Sequence, residues 1–442
     1  MARTFSGSSA LVDDGIGLAL APALAPEGLV DRPSFFHGFA AHPQVLARGL
    51  ATLADITATR YFQYVPTPLR DPVLTANGDR LRAECFSACN GVYARLDLLG
   101  HGFDGGDIGY GTTNVDIGPA MRTALSAVSR DALLHLDVGL DGMDVSTPDR
   151  TESERRVEMP DRWVRALGNA AELHRPLVPL MSLDQDQARA FVVALPPATG
   201  KNAPAWLGAT RTGPRLSPRQ VPGAVHVPGP HRLSALKRML THVRGMTLYG
   251  PADRSAGSLL VEVDLPDARL VLALTPEAWR GFSGEGSLLP ALAGETVVED
   301  ADLVSALLAF EPVIDVDALS RDAALDEGRV RAALAVLASS GRVGWDAHDQ
   351  AYFHRELPDD PDRVMKDNPR LVAAQQLASS GAVARDVDPE AWRVRSGGVD
   401  YLVRFPDVAT ASCTCAWYLR HRHGRGVCKH VLAVELMTGG SR

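Results

Sequence analysis

Near its C-terminus the chain carries three cysteines and a histidine at a fixed spacing. Cys413, Cys415, Cys428 and His430 are arranged as C-x-C, twelve intervening residues, and C-x-H. Two residues that are two positions apart share a face of a strand with parallel side chains, and on a helix they point about 200° apart. Neither arrangement lets a pair converge on one ion. The spacing therefore predicts a turn at each pair: a knuckle after a strand for the first and a helix entry for the second.

The residue types predict a metal site at this position. Three thiolates and one imidazole form the Cys3His ligand set that structural zinc prefers. Four protein ligands fill a tetrahedral shell, and no carboxylate lies between them in the sequence. The pattern therefore favours one structural zinc ion over a catalytic one. A disulfide is a weaker interpretation, because five cysteines in so long a chain do not form a secreted framework. His421 and His423 stay open as alternative fourth ligands.

The flanking segments have the patterns of a small ββα unit. "WRVRSGGVDYLVRF" predicts a β-hairpin that turns at Ser396-Gly397-Gly398, and "KHVLAVELM" predicts a helix that ends before Gly439. Together with the ligand order, these flanks resemble the SWIM zinc finger. The resemblance implies a zinc finger at residues 385–442. It also implies a bacterial protein with a long α/β N-terminal region.

The segment between the two ligand pairs, "AWYLRHRHGRG" (416–426), is basic and aromatic. Basic residues interleaved with aromatic ones are typical of phosphate contact and base stacking. The candidate residues for contact with nucleic acid or a protein partner are Trp417, Arg420, Arg422, Arg425 and Lys429. The alternative is a solvated loop in which Trp417 covers the small zinc core.

The charge of the chain is uneven along its length. The formal net charge is −8 over 442 residues, which argues against coating by nucleic acid. Residues 391–442 hold eight Lys/Arg and three Asp/Glu, a balance of +5 that leaves −13 for the rest. An anionic partner would therefore meet the C-terminal end. Because Asp13 and Asp14 stand where a signal peptide needs basic residues, and no apolar run is long enough for a membrane span, we expect a cytoplasmic protein.

Residues 1–295 predict an α/β body, with a possible break into two subdomains near 196–230, where Pro, Gly and basic residues are frequent. Helical spacing over 43–62 and after Pro119 alternates with strand-like stretches such as 132–145. The predicted fold class is α/β (α+β) and multidomain.

Three local features of this body have specific interpretations. "RLRAECFSACNGVYARLDLL" (80–99) has mixed helix and strand character. "SLDQDQARAFVVAL" predicts a helix capped by Ser182, with Gln185 three residues on. "LSALKRMLTHVRG" predicts a further helix.

Residues 296–357 predict three helices followed by a hairpin, the pattern of a winged-helix-like domain. The third helix of such a domain can enter the major groove of DNA. Here that helix begins with Asp326 and Glu327 and offers only Arg329 and Arg331 for phosphate contact. Protein contact or scaffolding is therefore the favoured interpretation, and DNA binding is the alternative.

Cys85 and Cys89 are four residues apart and would share one face of a helix. They could begin a second metal site with His101, but free cysteines are among the most buried residue types, so core packing is favoured. Asp137, Asp141 and Asp144 could hold Mg²⁺, although solvated strand positions are favoured. The chain shows no recognisable arrangement of catalytic residues, and we expect a protein that is not an enzyme.

Two functional hypotheses follow from the sequence. The first is a non-enzymatic zinc-binding adaptor or regulator that acts through protein contacts. Bacterial SWIM proteins of this kind resemble components of operons that encode MoxR-type AAA+ ATPases and von Willebrand A-domain proteins, so the resemblance implies one of these as the partner. The alternative is a DNA-binding protein that uses the basic zinc finger and the winged helix.

Overall fold

The computed structural model shows a mixed α/β chain with several sheets. The described residues are 10–12, 15–17, 23–25, 28–30, 34–61, 72–157, 161–200, 203–211, 213–276, 281–282, 297–355, 357, 369–408, 410–422 and 426–438. We refer to residues 34–282 as the body, 297–354 as the helical module and 369–438 as the finger module.

Two short antiparallel hairpins precede the body and are followed by its first half. The hairpin strands are β1 (Ala10–Val12), β2 (Gly15–Gly17), β3 (Ala23–Ala25) and β4 (Gly28–Val30). The elements that follow are β5 (Ser34–Ala40), α1 (Pro43–Thr57), β6 (Val73–Asn77), β7 (Arg80–Phe86), β8 (Val92–Leu99), β9 (Phe103–Ile108), β10 (Tyr110–Asn114), α2 (Pro119–Ala127), β11 (His135–Gly139), β12 (Gly142–Thr147) and β13 (Arg150–Arg155).

The second half of the body has the same mixed character. Its elements are α3 (Asp161–His174), β14 (Val178–Leu183), α4 (Gln185–Ala194), β15 (Ala205–Thr210), β16 (Gly213–Ser217), β17 (Val225–Val227), a 3-10 helix (Pro230–His242), β18 (Gly245–Gly250), β19 (Leu259–Leu265) and β20 (Ala268–Leu274). The helix predicted from "LSALKRMLTHVRG" is thus a 3-10 helix that begins at Pro230, three residues earlier than that stretch.

The largest sheet of the body has eight antiparallel strands in the order β10-β6-β7-β8-β20-β19-β18-β14. It takes strands from both sides of the region near 196–230, and that region itself forms the sheet β16-β15-β17. A third sheet has the order β13-β12-β11-β5-β9. Because β8 pairs with β20 along seven residues, the two halves of the body share one continuous hydrogen-bonded layer.

The body repeats one local plan although its sequence has no fixed period. A helix followed by three antiparallel strands occurs four times: α1 with β6–β8, α2 with β11–β13, α4 with β15–β17, and the 3-10 helix with β18–β20. The helices pack beside one another, α1 against α2 and the 3-10 helix, and the 3-10 helix against α4. The strands are carried on three sheets, and the apolar sides of helices and sheets form one core.

The cap of α4 differs from the sequence prediction. The N-cap is Asp184, whose side chain accepts a hydrogen bond from the Gln187 amide at 2.9 Å, while the Gln187 side chain accepts one from the Asp184 amide at 3.2 Å. The predicted cap at Ser182 is wrong because β14 continues through Leu183. The capping box exists, two residues later than predicted.

The helical module contains the three predicted helices and the hairpin. They are α5 (Val297–Leu307), α6 (Val316–Ala323), α7 (Glu327–Ser339), β21 (Val343–Asp346) and β22 (Ala351–His354). Helix α7 packs against α5, α6 and, from the body, α3. All its residues from Ala333 to Ser339 are buried. Its two arginines are engaged, Arg329 with Asp300 and Arg331 with Glu327. The third helix therefore has no free face for a DNA groove over its second half.

A buried group of ions joins the hairpin of this module to the eight-stranded sheet. Asp346 of β21 lies 2.8 Å from Arg82 of β7 and 2.8 Å from Arg95 of β8. Asp97 lies 3.3 Å from Arg82 and 2.9 Å from Arg95. All four side chains are at most 2% exposed. We call these four residues the ion cluster.

The electrostatics of the ion cluster favour the charged forms of Asp346 and Arg95. Burial alone would raise the pKa of Asp346, but the guanidinium groups of Arg95 and Arg82 hold it well below its usual value. The Phe353 ring of β22 lies under the Arg82 guanidinium at 4.0 Å, which adds a cation–π contact. The hairpin β21–β22 is thus held against the body by ion pairs that are buried away from water.

The finger module has a four-stranded sheet between helices. Its elements are α8 (Pro369–Ser379), β23 (Val383–Arg385), β24 (Ala391–Ser396), β25 (Val399–Arg404), β26 (Ser412–Cys413), α9 (Ala416–His421) and α10 (Lys429–Thr438), and the strand order is β23-β24-β25-β26. The predicted hairpin is present. Gly397 and Gly398 form its turn with φ of +61° and +79°, values that favour glycine.

Candidate metal centre

Each ligand pair lies at the boundary of a secondary-structure element, as the spacing predicted. Cys413 ends β26, and Cys415 is the N-cap of α9. Cys428 comes directly before α10, and His430 is the second residue of that helix. The chain therefore turns between the members of each pair, and the two turns point four side chains at one place.

The four side chains meet in a compact, buried group. Their ligand atoms all lie within 4.8 Å of one another. Cys413 Sγ is 3.7 Å from His430 Nδ1. Tetrahedral zinc with its usual bond lengths would separate a sulfur and a nitrogen ligand by about 3.6 Å. All four residues are at most 4% exposed.

Backbone amides and an aromatic ring orient the ligands. The Cys415 amide donates to Cys413 Sγ at 3.4 Å, and the Tyr418 amide donates to Cys415 Sγ at 3.4 Å. Tyr401 of β25 stacks on the His430 ring, with 4.3 Å between centroids. Hydrogen bonds from backbone amides stabilise the negative charge of a thiolate, and the stacked Tyr401 ring restricts rotation of the His430 imidazole.

The three thiols differ in acidity. The pKa of Cys428 is lowered to about 4, first because the Cys413 thiol donates a hydrogen bond to it, and further because His430 lies beside it. That same hydrogen bond raises the pKa of Cys413, and burial raises the pKa of Cys415. A divalent cation supplies the positive charge that three buried thiolates require, and its binding would release the remaining protons.

The donor set fits zinc. Soft sulfur ligands with one imidazole suit Zn²⁺ and do not suit Mg²⁺ or Ca²⁺, which prefer oxygen. Four protein ligands close the coordination shell, so the site can hold a shape but leaves no position for a substrate. Within the described ranges this is the one grouping of His, Cys, Asp and Glu side chains with the geometry to hold a metal ion.

The insert between the ligand pairs is packed against the finger module. Trp417 donates through Nε1 to the Gly426 carbonyl at 3.5 Å, and its ring meets His421 at 4.7 Å. His421 is thus placed against Trp417 and is not in the ligand group. Tyr418 is buried, with the Arg422 guanidinium 5.3 Å from its ring centre. Arg420 is exposed and Lys429 is half-buried. Arg425 and His423 lie outside the described residues.

Helix α8 makes a packing contact with the zinc finger that the sequence prediction missed. Arg370 lies with its guanidinium 4.5 Å from the centre of the Trp417 ring and donates to the Val427 carbonyl at 3.1 Å. The apolar side of α8, with Leu371 and Ala374, packs against α10. The spacing of Leu371 and Ala374, three residues apart, places both on one side of a helix and was the feature of the sequence that could have indicated this packing. Helix α8 therefore packs against the zinc finger from outside the predicted range 385–442.

The weaker candidates do not assemble into a second site. Cys85 is buried in β7 and belongs to the core, and Cys89 lies in the turn after it, packed against that core with Sγ 3.5 Å from Ser87 Oγ. His101 instead contacts Asp267, 3.2 Å away. Asp137 and Asp144 are opposite each other on the hairpin β11–β12.

Comparison with known proteins identifies the C-terminal part. Residues 394–439 match the family described as SWIM zinc finger, so this part of the chain is a SWIM zinc finger domain. No curated protein matches the chain.

Two solved structures are similar over part of the chain. Proliferating Cellular Nuclear Antigen from Entamoeba histolytica is 12% identical, over 55% of this chain and 100% of that one, with a TM-score of 0.37. The PCNA2-PCNA3 complex from Sulfolobus tokodaii is 11% identical, over 55% of this chain and 99% of that one, with a TM-score of 0.39. Along the part of the chain that the structure describes, no helix has the length and apolar character that crossing a bilayer requires.

Proposed function

We propose that the protein is a non-enzymatic, zinc-binding adaptor or regulator that acts through contacts with other proteins, with one structural zinc ion. The observation that carries this proposal is the apolar surface of the finger module. Val387, Val399, Leu402 and Leu419 are large apolar side chains with exposures of 41% to 99%. Exposed apolar side chains that adjoin one another form a protein-binding face, and we propose that these residues contribute to one.

The charges of the finger module support protein contact over nucleic-acid contact. Arg393 lies 2.9 Å from Asp386, and Arg404 lies 3.3 Å from Asp388. Asp386 and Asp388 lie before residues 391–442, the segment with a formal net charge of +5. Because the folded finger module includes these two acidic residues, it is less basic than that segment. Arginines that already have carboxylate partners contribute less to phosphate binding.

The aromatic residues of the insert support the same interpretation. A base-stacking residue needs a free ring face. One face of Trp417 is covered by Arg370, and Tyr418 is buried. These rings serve the packing of the finger module, and zinc keeps that packing in place.

A MoxR-type AAA+ ATPase is the partner we propose, or a von Willebrand A-domain protein from the same kind of operon. The family resemblance of the finger supports this choice. The helical module, which we propose to be winged-helix-like, would contribute scaffolding, because its third helix is buried against α5 and α3.

Affinity capture from a native lysate, with and without nuclease, tests the proposal. We expect an ATPase to be retained after nuclease treatment and to be lost from the variant Val399→Asp/Leu402→Asp. Leu133→Asp is the matched control, because Leu133 is an exposed apolar residue (64%) of the body. Zinc content should be equal in all three proteins. A partner that nuclease releases would contradict protein contact.

DNA binding by the finger module is the second candidate, favoured by the exposed Arg420. In that case the logarithm of affinity should fall steeply with the logarithm of salt concentration. Neutralising Arg420, Arg422 and Arg425 should then flatten the slope. Affinity that does not respond to salt would exclude this second function.

A further inference from the structure

Two arginines from distant parts of the chain meet at the end of the 3-10 helix. Arg48 of α1 donates through Nη1 to Thr241 Oγ1 at 2.7 Å and lies 3.4 Å from His242 Nε2. Arg189 of α4 donates through Nη2 to the Thr241 carbonyl at 3.3 Å. Two guanidinium groups are therefore held beside one residue by three different helices.

Several cationic side chains surround His242. The pKa of His242 is lowered to about 4, first by burial and then by the positive charges of Arg48, Arg130, His42 and Arg189. Arg130 follows α2 and is exposed. His42 contacts the carboxylate of Asp267 at 3.0 Å and so carries its own counter-ion. The remaining excess of positive charge comes from the three arginines.

The part of the chain that the structure describes places no acidic partner beside these three arginines. Among the residues that the structure describes, no carboxylate lies within 4 Å of the guanidinium of Arg48, Arg130 or Arg189. Nε of Arg189 is buried and has no hydrogen-bond acceptor among those residues. Other arginines on these helices do have an acidic partner. Asp55 of α1 accepts a hydrogen bond from Arg238 Nε at 3.0 Å and also binds Arg122. Unbalanced cations held together are costly unless an anion joins them.

We propose that Arg48, Arg130 and Arg189, together with Thr241 and His242, bind a phosphate group on the helical face of the body. Guanidinium groups match phosphate oxygens in geometry and charge, and hydroxyl and imidazole groups add hydrogen bonds. The phosphate is either a free phosphate compound or the backbone of a nucleic acid, which present the same oxygens. This site is separate from the finger module, and it stands or falls independently of the function proposed above.

Direct binding measurements on the full-length zinc-loaded protein test this site. Inorganic pyrophosphate is titrated by calorimetry at low ionic strength, and a labelled DNA duplex is titrated by fluorescence anisotropy. We expect the double variant Arg48→Gln/Arg189→Gln to lose at least about tenfold in affinity, because two charge-assisted contacts are removed. Arg238→Gln, an arginine of the same face that Asp55 neutralises, should stay within about twofold. Neutralising Arg420 and Arg422 of the finger module should leave the affinity for pyrophosphate unchanged.

Each outcome of this experiment decides the proposal. Binding of pyrophosphate alone identifies a free phosphate compound, and binding of both probes identifies a nucleic-acid backbone. If neither probe binds the wild-type protein, or if Arg238→Gln loses as much as the double variant, no phosphate site exists here. Circular dichroism checks folding. Should the double variant fail to fold, Arg130→Gln carries the test, because Arg130 is exposed and its loss should still weaken binding.

Discussion

Asp346 accepts a hydrogen bond from Arg82 at 2.8 Å across 264 residues of chain, and both side chains are at most 1% exposed. The contact joins the hairpin of the helical module to the eight-stranded sheet of the body. A buried ion pair of this kind adds little net stability compared with apolar packing. Its loss on one side, however, leaves an uncompensated buried charge and is strongly destabilising.

Asp346→Asn should therefore destabilise the body strongly. It removes the negative charge shared by Arg82 and Arg95 while keeping the side-chain volume, and the expected loss in the free energy of unfolding is about 3–5 kcal/mol. Urea denaturation followed by circular dichroism measures it. Glu327→Gln is the matched control, since it breaks the exposed pair with Arg331 and should cost less than about 0.5 kcal/mol. Equal effects of the two changes would contradict the role given to the ion cluster.

Cys428→Ser should abolish zinc binding. The wild-type protein is expected to hold one zinc ion per chain by elemental analysis, and the variant to hold none, because Cys428 is one of four ligands. Cys89→Ser, which changes a thiol outside the site, should keep the full zinc content. A full zinc complement in Cys428→Ser would refute the ligand assignment.

Chelation should unfold the finger module and spare the body. The module is small, and much of its folding free energy is expected to come from the metal. Hydrogen exchange should show that a chelator speeds the exchange of backbone amides in α8, α9, α10 and the strands between them. The amides of Trp417 and Arg370 should be among those affected. Amides of β7, β8, β19 and β20 should keep their protection. Loss of protection in that sheet would show that the modules do not fold separately.

The protein should lose stability as the pH falls below neutral. His354 is buried, its Nδ1 accepts a hydrogen bond from the Phe310 amide at 2.8 Å, and its pKa is lowered to about 3 by burial and by Arg342 and Arg355. In the unfolded chain, the His354 side chain becomes protonated near pH 6.5, whereas in the folded chain it becomes protonated only near pH 3. The stabilisation present above pH 6.5 is lost through this interval, at about 1.4 kcal/mol per pH unit.

Denaturant unfolding at several pH values measures this dependence. His354→Asn keeps an acceptor for the Phe310 amide and removes the titrating group, so stability should fall less steeply between pH 6.5 and 4. A slope identical to that of the wild-type protein would show that His354 titrates normally in the folded state.

The metal centre was predictable because its information is local. The spacing of Cys413, Cys415, Cys428 and His430 demanded two turns, and β26–α9 and the start of α10 supply them. The zinc-binding character and the hairpin at Gly397 followed from residues within about 50 positions of one another. The contact of Arg370 with Trp417 was missed, because nothing local to either residue indicates the other.

The eight-stranded sheet of the body was less predictable because central strands such as β7 and β20 are buried on both faces. Stretch 80–99 had mixed character because Arg82, Glu84 and Arg95 occupy interior strand positions that are normally apolar. Arg82 and Arg95 share Asp346 of the helical module, and Glu84 pairs with Arg355, so each of the three has a partner more than 250 residues further on. Because those partners are distant in the sequence, the charged residues hid the strand pattern of residues 80–99, and the segment showed mixed helix and strand character.

The ion cluster makes the hairpin β21–β22 equivalent to a tethered ligand of the sheet. The hairpin brings the carboxylate of Asp346, and the sheet holds Arg82 and Arg95 as its receptor. The chain between them sets the local concentration of this ligand, so occupancy does not depend on the amount of protein in solution. A fragment that ends at residue 295 would be a receptor without its ligand, and an added peptide of residues 343–354 would have to bind it from solution to restore the missing charge.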